Sequence, residues 1–157
     1  MNQPRIAFIG AGNMAKSIIG GLLAQGTPAQ AVTASGPRLE NLQPLQAATG
    51  VNITTSNSDA ASQADIVILA VKPQMLKTVA AELSAALAHR PLIISLAAGI
   101  TTDSIARWLG GDQAIVRCMP NTPSQLRQGA SGLFANARVS AEQRASADAI
   151  LRAVGVV

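Results

Sequence analysis

Short apolar runs alternate with helical patterns along the chain. The run at residues 65–71, Asp-Ile-Val-Ile-Leu-Ala-Val, is almost entirely β-branched or aliphatic and does not alternate with polar residues. Such a run is typical of a strand in a parallel sheet that is covered on both faces. Similar runs predict strands at about residues 5–9, 31–34, 51–54, 91–96, 113–118 and 130–135, and the start of another at 155–157.

Between these runs, apolar residues recur at the three- and four-residue spacing of amphipathic helices. The first helix is predicted at residues 13–25, and later helical stretches end at about residues 50, 64, 88, 109 and 153. In the second helix we expect Pro37 in the first turn and Leu39, Leu42 and Leu45 on one face. The alternation predicts an α/β fold: a Rossmann-like, doubly wound, mainly parallel sheet with helices on both faces.

A glycine-rich turn joins the first strand to the first helix. It reads Ile9-Gly10-Ala11-Gly12-Asn13-Met14-Ala15, a G-x-G-x-x-A pattern. Gly10 permits a tight turn, Gly12 lets a pyrophosphate approach the backbone, and Ala15 lets the helix pack close to the strand. The start of the helix offers free N–H groups and a positive dipole end. The turn therefore predicts a dinucleotide site.

Ligands of doubly wound sheets bind beyond the carboxyl ends of the strands. The candidates there are residues 10–15, 35–38, 71–73, 97–99 and 119–123, and Asn57. Proteins that use NAD usually carry an acidic residue after the second strand, whereas this chain has Ser35 and, nearby, Arg38. A hydroxyl and a guanidinium favour a 2′-phosphate, so we expect NADPH to be preferred, with NADH possible. Alternatively, Arg38 is a solvated first-turn residue whose charge Glu40 offsets.

Other reactive side chains give weaker signals. Lys72 is a candidate base, but the following Pro73 favours an extended backbone and a solvent-exposed side chain. The single histidine, His89, precedes a strand and so belongs at the edge opposite the expected site. The single Cys118 excludes a disulfide within the chain and fits a reducing compartment. The sequence offers no nucleophile–base arrangement and no metal-ligand spacing, so we predict neither a catalytic side chain nor a metal.

Composition narrows the class of partner. Twelve Lys and Arg against eight Asp and Glu give a net charge of +4, which suits a small anionic ligand. The basic residues are scattered, and with two Phe, one Trp and no Tyr there is little to stack on bases, so we do not expect nucleic-acid binding. No apolar run reaches transmembrane length and no signal-peptide pattern is present, so we expect a cytoplasmic protein without membrane contact.

Four segments together resemble pyrroline-5-carboxylate reductases. They are Ile9-Gly10-Ala11-Gly12-Asn13-Met14-Ala15, Ala70-Val71-Lys72-Pro73, Ser95-Leu96-Ala97-Ala98-Gly99-Ile100 and Arg117-Cys118-Met119-Pro120-Asn121-Thr122-Pro123. They follow the order and spacing of that family, and the A-V-K-P and M-P-N-T-P segments are more specific than the glycine turn. The resemblance implies reduction of a small imine carboxylate, pyrroline-5-carboxylate, to L-proline with NAD(P)H, the last step of proline biosynthesis.

The resemblance also implies roles for individual residues. Cofactor contacts are expected at Ile9, Gly10, Ala11, Gly12, Asn13, Met14, Ser35, Gly36, Arg38, Asn57, Ala70, Val71, Lys72, Pro73, Ala97, Ala98 and Gly99. Asn121 and Thr122 are expected near the substrate. A cyclic imine can arrive protonated, which fits a site where positioning and the cofactor carry the reaction.

Members of that family continue into a helical C-terminal domain that holds the substrate loop and forms the dimer. That domain is not in this chain. The resemblance therefore implies that residues 1–157 form the NAD(P)-binding domain, that this part alone has little activity, and that the full-length enzyme is a homo-oligomer. Two alternatives stay open: another NADP-dependent imine or β-hydroxyacid oxidoreductase, and a non-catalytic NADP-binding module.

Overall fold

A computed structural model describes residues 4–97, 100–111, 113–118 and 133–152. These residues form one seven-stranded sheet with the order β3-β2-β1-β4-β5-β6-β7. The strands are β1 (Ile6–Ile9), β2 (Val32–Ser35), β3 (Asn52–Thr54), β4 (Ile66–Leu69), β5 (Leu92–Ser95), β6 (Ala114–Cys118) and β7 (Leu133–Ala135). β1 to β6 are parallel, and β7 runs antiparallel to β6. The predicted fold class is confirmed.

Helices follow most of the strands. They are α1 (Asn13–Ala24), α2 (Leu39–Thr49), α3 (Asn57–Ser62), α4 (Pro73–Leu83), α5 (Thr102–Trp108) and α6 (Ala141–Leu151), with short 3-10 turns at Ala29–Ala31 and Ser84–Ala86. Each predicted element within the described ranges is present, with ends shifted by a few residues. The strand predicted to begin at residue 155 lies outside the described residues. None of the described helices is long and apolar enough to cross a membrane.

The sheet carries a separate apolar core on each face. Side chains alternate along β1, so Phe8 packs with α1, α2 and α6, whereas Ile9 packs with α3, α4 and α5. Phe8 and Ile9 are both fully buried. Because helices cover both faces of the sheet at β1, both sets of its side chains are buried, and polar residues do not alternate with apolar ones. The same arrangement explains the continuous apolar runs in the sequence.

The start of the second helix differs from the prediction. α2 begins at Leu39, and the extended Arg38 (φ −128°, ψ 117°) occupies the position before it, so Pro37 lies outside the helix. Leu42 and Leu45 are buried, but Leu39 is 46% exposed. The prediction of a shared face is wrong for Leu39. An α-helix has 3.6 residues per turn, so residues spaced by three drift around it, and Leu39 in the first turn lies away from the buried face.

The strand order places a switch point beside β1. The chain moves from β1 outward to β2 and β3, and then returns through α3 to β4 on the other side of β1. Connections therefore leave the carboxyl ends of β1 and β4 in opposite directions, which opens a crevice between them. Doubly wound sheets bind their ligands in such a crevice.

Candidate dinucleotide site

Three predicted turns meet at the switch point. Ile9 is in register with Ser35 of β2 on one side and with Leu69 of β4 on the other. Two backbone hydrogen bonds extend this register: the Gly10 N–H donates to the Ser35 carbonyl at 3.0 Å, and the Ala70 N–H donates to the Ile9 carbonyl at 2.8 Å. The glycine turn, the end of β2 and the A-V-K-P segment thus form one edge.

The fold itself, without any ligand, requires a glycine at position 10. Its φ is +100°, a conformation that side chains disfavour, and a Cβ built on it would lie 2.8 Å from the carbonyl oxygen of Ala70. The close approach of the turn to the end of β4 therefore depends on a glycine here.

Gly12 differs, because nothing in the described protein requires a glycine there. Its backbone is extended (φ −76°, ψ −172°), and a Cβ built on it would meet no atom within 4 Å. Gly12 is also the residue before α1, whose start has no side-chain cap and no acidic residue in its first turn. The accessible space before an uncapped helix N-terminus fits a phosphate group.

The helices that follow β2 and β4, the two strands beside β1, also begin without side-chain caps, and both begin at cations. Arg38 precedes α2 and Lys72 precedes α4, and both residues are exposed. By contrast, the serine or threonine before each of α3, α5 and α6 accepts a hydrogen bond from the helix backbone. A cation at the positive end of a helix dipole is unfavourable, and a bound anion would offset that cost. This edge of the sheet is therefore suited to a polyanion.

A buried hydroxyl connects the end of β2 to the start of α3. Ser35 is fully buried, and its Oγ donates a hydrogen bond to the Oδ1 of Asn57 at 2.6 Å. The Phe8 carbonyl is a weaker acceptor at 3.4 Å. The sequence identifies both residues as separate candidates but does not predict this contact, because 22 positions separate them and their types alone do not pair them.

A sequence model of one family matches much of this edge. The family "NADP oxidoreductase coenzyme F420-dependent" matches residues 5–99, which include the glycine turn, Asn57 and the A-V-K-P segment. This match covers more than half of the chain. The chain belongs to this family. Its fold is accordingly that of NAD(P)-dependent oxidoreductases.

Individual relatives within this fold confirm the resemblance to pyrroline-5-carboxylate reductases. The chain is 53% identical to the Pseudomonas aeruginosa pyrroline-5-carboxylate reductase over 156 residues, covering 99% of this chain and 57% of that protein. The Escherichia coli enzyme is 39% identical over 98% of this chain and 57% of its own length. The chain thus spans a little over half the length of the curated relatives it matches.

Solved structures agree with the fold. A pyrroline-5-carboxylate reductase from Coxiella burnetii superposes with a TM-score of 0.90 at 46% identity, over 99% of this chain and 58% of that one. A Plasmodium falciparum pyrroline carboxylate reductase, solved with NADP bound, gives a TM-score of 0.79 over 98% of this chain and 56% of that one. At 24% identity, the second comparison supports the fold alone.

The remaining predicted site residues are placed as follows. Ile9, Gly36 and Ala97 are buried, Ala11, Met14, Asn57, Ala70 and Val71 are partly buried, and Asn13 and Pro73 are exposed. The N–H of Ala97 donates to the Oγ of buried Ser95 at 3.2 Å, which fixes the backbone beyond β5. The predicted contacts Ala98, Gly99, Asn121 and Thr122 lie outside the described residues.

The two candidate proton-transfer side chains, Lys72 and His89, also have clear positions. Lys72 is extended (φ −63°, ψ 148°) and exposed, as the following proline predicts. The Nε2 of His89 lies 2.7 Å from the carbonyl oxygen of Ala64, near the starts of β4 and β5, which is the sheet edge opposite the crevice. Within the described ranges, no group of three or more His, Cys, Asp or Glu residues is arranged to hold a metal.

Proposed function

We propose that this chain is the nucleotide-binding part of a pyrroline-5-carboxylate reductase, which reduces 1-pyrroline-5-carboxylate to L-proline with NADPH. The observation that carries the nucleotide site is Gly12, whose missing side chain leaves space against the uncapped start of α1. The substrate is inferred from the similarity to the Pseudomonas aeruginosa and Escherichia coli reductases. Because the chain spans only part of their length, the complete reaction is proposed for the whole enzyme.

The cofactor's phosphates and ribose are assigned to the edge around β1. Residues 9–14 would hold the pyrophosphate, because the N–H groups at the start of α1 have no side-chain cap. Asn57 would bind the cofactor through its amide. In the described part of the chain, the guanidinium of Arg38 makes no ion pair, so its charge is available to a 2′-phosphate. We therefore propose that NADPH is preferred over NADH.

The nicotinamide side is assigned to the ends of β4 and β5. Residues 70–73 and Ala97 would line it, and the resemblance extends this assignment to Ala98, Gly99, Asn121 and Thr122. When bound, the dihydronicotinamide supplies a hydride to the imine carbon. A protonated imine becomes the amine of proline without an acid from the protein, so the chain's residues mainly orient the reactants and exclude water.

A chimaeric enzyme tests this proposal. Residues 1–157 of this chain would be joined to the C-terminal part of the Pseudomonas aeruginosa reductase that they do not match. We expect oxidation of NADPH that depends on pyrroline-5-carboxylate, and little turnover by the 157-residue chain alone. A cyclic imine without a carboxylate, supplied with NADPH, and a β-hydroxyacid, supplied with NADP⁺ as the hydride acceptor, would serve as competing substrates.

Each outcome of this assay distinguishes between the candidate functions. Faster turnover of either competing substrate would favour another imine or β-hydroxyacid oxidoreductase. NADPH binding by a folded chimaera without turnover of any substrate would favour a non-catalytic module. Homo-oligomerisation through the C-terminal domain and a cytoplasmic location stay predictions.

A further inference from the structure

The distance between Ser35 and Asn57 favours the Ser35 hydroxyl as the donor. The Ser35 Oγ and the Asn57 Oδ1 are 2.6 Å apart. Hydrogen bonds from O–H to O are commonly this short, whereas those from N–H to O are rarely shorter than about 2.7 Å. The reverse arrangement, in which the Asn57 amide nitrogen occupies this position and donates to Ser35, is therefore disfavoured. The single hydroxyl hydrogen of Ser35 is used by Asn57.

This bond leaves the Asn57 amide with a defined role. Its oxygen is occupied by Ser35, and its nitrogen makes no hydrogen bond within the described protein, so two N–H groups are available. Asn57 is the first residue of α3 and is partly exposed. The helix start itself is already capped by Ser56, whose Oγ accepts from the Asp59 N–H at 3.2 Å. Asn57 is thus not needed as a cap, and its NH₂ group is available to donate to a ligand.

We propose that Ser35 is a positioning residue for the cofactor: its hydroxyl holds the Asn57 amide so that the NH₂ group is presented to an acceptor oxygen of the ribose or phosphates. Ser35 acts through Asn57 and does not itself contact the cofactor, because its side chain is fully buried. This inference rests on the proposed dinucleotide site. It differs from the expectation that the Ser35 hydroxyl favours a 2′-phosphate directly, and it assigns that role to Arg38 alone.

The side chain of Ser35 can be changed without removing its backbone contacts. Its carbonyl accepts from the Gly10 N–H at 3.0 Å, and that bond is preserved in Ser35→Ala. The variant therefore removes the link to Asn57 while keeping the glycine turn tied to β2. A loss of cofactor affinity in Ser35→Ala then reports on the Asn57 amide, and not on the turn.

A double-mutant cycle separates positioning from direct contact. NADPH would be titrated into the 157-residue chain as wild type, Ser35→Ala, Asn57→Ala and the double variant, with thermal unfolding as a control for folding. We expect Asn57→Ala to weaken NADPH binding about tenfold and Ser35→Ala about three- to tenfold. In the Asn57→Ala background, adding Ser35→Ala should change affinity less than about twofold, because the residue it acts through is gone.

Asn57→Asp provides a matched second variant. Its carboxylate can still accept from Ser35, and an acidic residue is favourable in the first turn of α3, so we expect unfolding at or above the wild-type temperature. It has no N–H to donate, so NADPH binding should fall at least about tenfold. Lower thermal stability in this variant, or unchanged binding, would overturn the assigned orientation of the amide.

The cycle distinguishes failure of this inference from failure of the proposed function. If wild type does not bind NADPH, the dinucleotide site is wrong and the inference falls with it. If the wild type binds NADPH but the affinity losses of Ser35→Ala and Asn57→Ala are additive in the double variant, Ser35 contacts the cofactor on its own and the positioning role is wrong. The inference would also be contradicted if Ser35→Ala weakened the binding of NADPH but not of NADH, while Asn57→Ala weakened the binding of both cofactors.

Discussion

At the scale of single residues, the two glycines of the turn meet different demands. Gly10 is fixed by a φ of +100° and by the carbonyl of Ala70, so its identity follows from the fold. Gly12 has ordinary backbone angles and free space around its missing side chain. The sequence pattern predicts a turn role for Gly10 and a pyrophosphate role for Gly12. The positive φ and the contact with Ala70 support the first role, and the second stays a proposal.

Gly10→Ala should destabilise the protein strongly. We expect a loss of about 1–3 kcal/mol in the free energy of unfolding, because the variant combines an unfavourable backbone conformation with a close contact to Ala70. Urea unfolding would measure it. Gly12→Ala is the matched control and should leave stability unchanged or raise it by a few tenths of a kcal/mol. Equal losses in both variants would contradict the distinction.

Arg38→Ala should change the choice of cofactor. The guanidinium is exposed at the start of α2 and has no ion pair among the residues described, so its removal should weaken NADPH binding about ten- to a hundredfold. NADH lacks the 2′-phosphate and should lose less than about threefold. Fluorescence titration with both cofactors measures this, and equal losses would refute the assignment of Arg38 to the 2′-phosphate.

Contacts between residues that are far apart in the sequence are the part of the site that cannot be predicted from the sequence. Ser35 and Asn57 are separate candidates in the sequence, but their hydrogen bond exists only because β2 and the start of α3 reach the same edge. The exposure of Leu39 cannot be predicted from the sequence for a related reason. Helical spacing places it near Leu42, but only the fold determines where the core ends.

At the scale of elements, strand positions follow closely from the sequence. The strand predicted at residues 65–71 is observed as β4, Ile66–Leu69. The apolar residues beyond it, Ala70 and Val71, are not assigned to the strand and are only partly buried, although the Ala70 N–H still donates to the Ile9 carbonyl. Periodicity could not predict this end, because apolar character marks burial and not hydrogen-bonded pairing. Neither could it predict that β7 runs antiparallel, since strand direction depends on the connection.

Helix caps provide a prediction that links stability to the site. Ser56 caps α3 beside the crevice, and Ser140 caps α6 in a capping box. Replacing either serine by alanine should cost about 1 kcal/mol of stability, measured by thermal unfolding. Only Ser56→Ala should also weaken NADPH binding, because it loosens the turn that carries Asn57. A comparable loss of affinity in Ser140→Ala would argue that general destabilisation, and not the site, controls binding.

At the scale of the whole molecule, the strand order determines where chemistry can occur. The alternating pattern predicts the doubly wound sheet, and the order β3-β2-β1-β4 places the switch point beside β1. The glycine turn, the Arg38 and Lys72 helix starts, and the Ser35–Asn57 pair all lie at the same sheet edge. His89 lies at the opposite edge, as its position before a strand predicts.

The most direct test is an NADPH titration of the wild-type chain beside Gly12→Ala. We expect saturable binding by wild type, and a loss of at least about tenfold, or roughly 1.4 kcal/mol, in a Gly12→Ala variant that unfolds at the wild-type temperature. The added methyl would occupy the space assigned to the pyrophosphate and little else, since it meets no protein atom within 4 Å. Equal NADPH affinity in the two proteins, or no binding by wild type, would contradict the assignment.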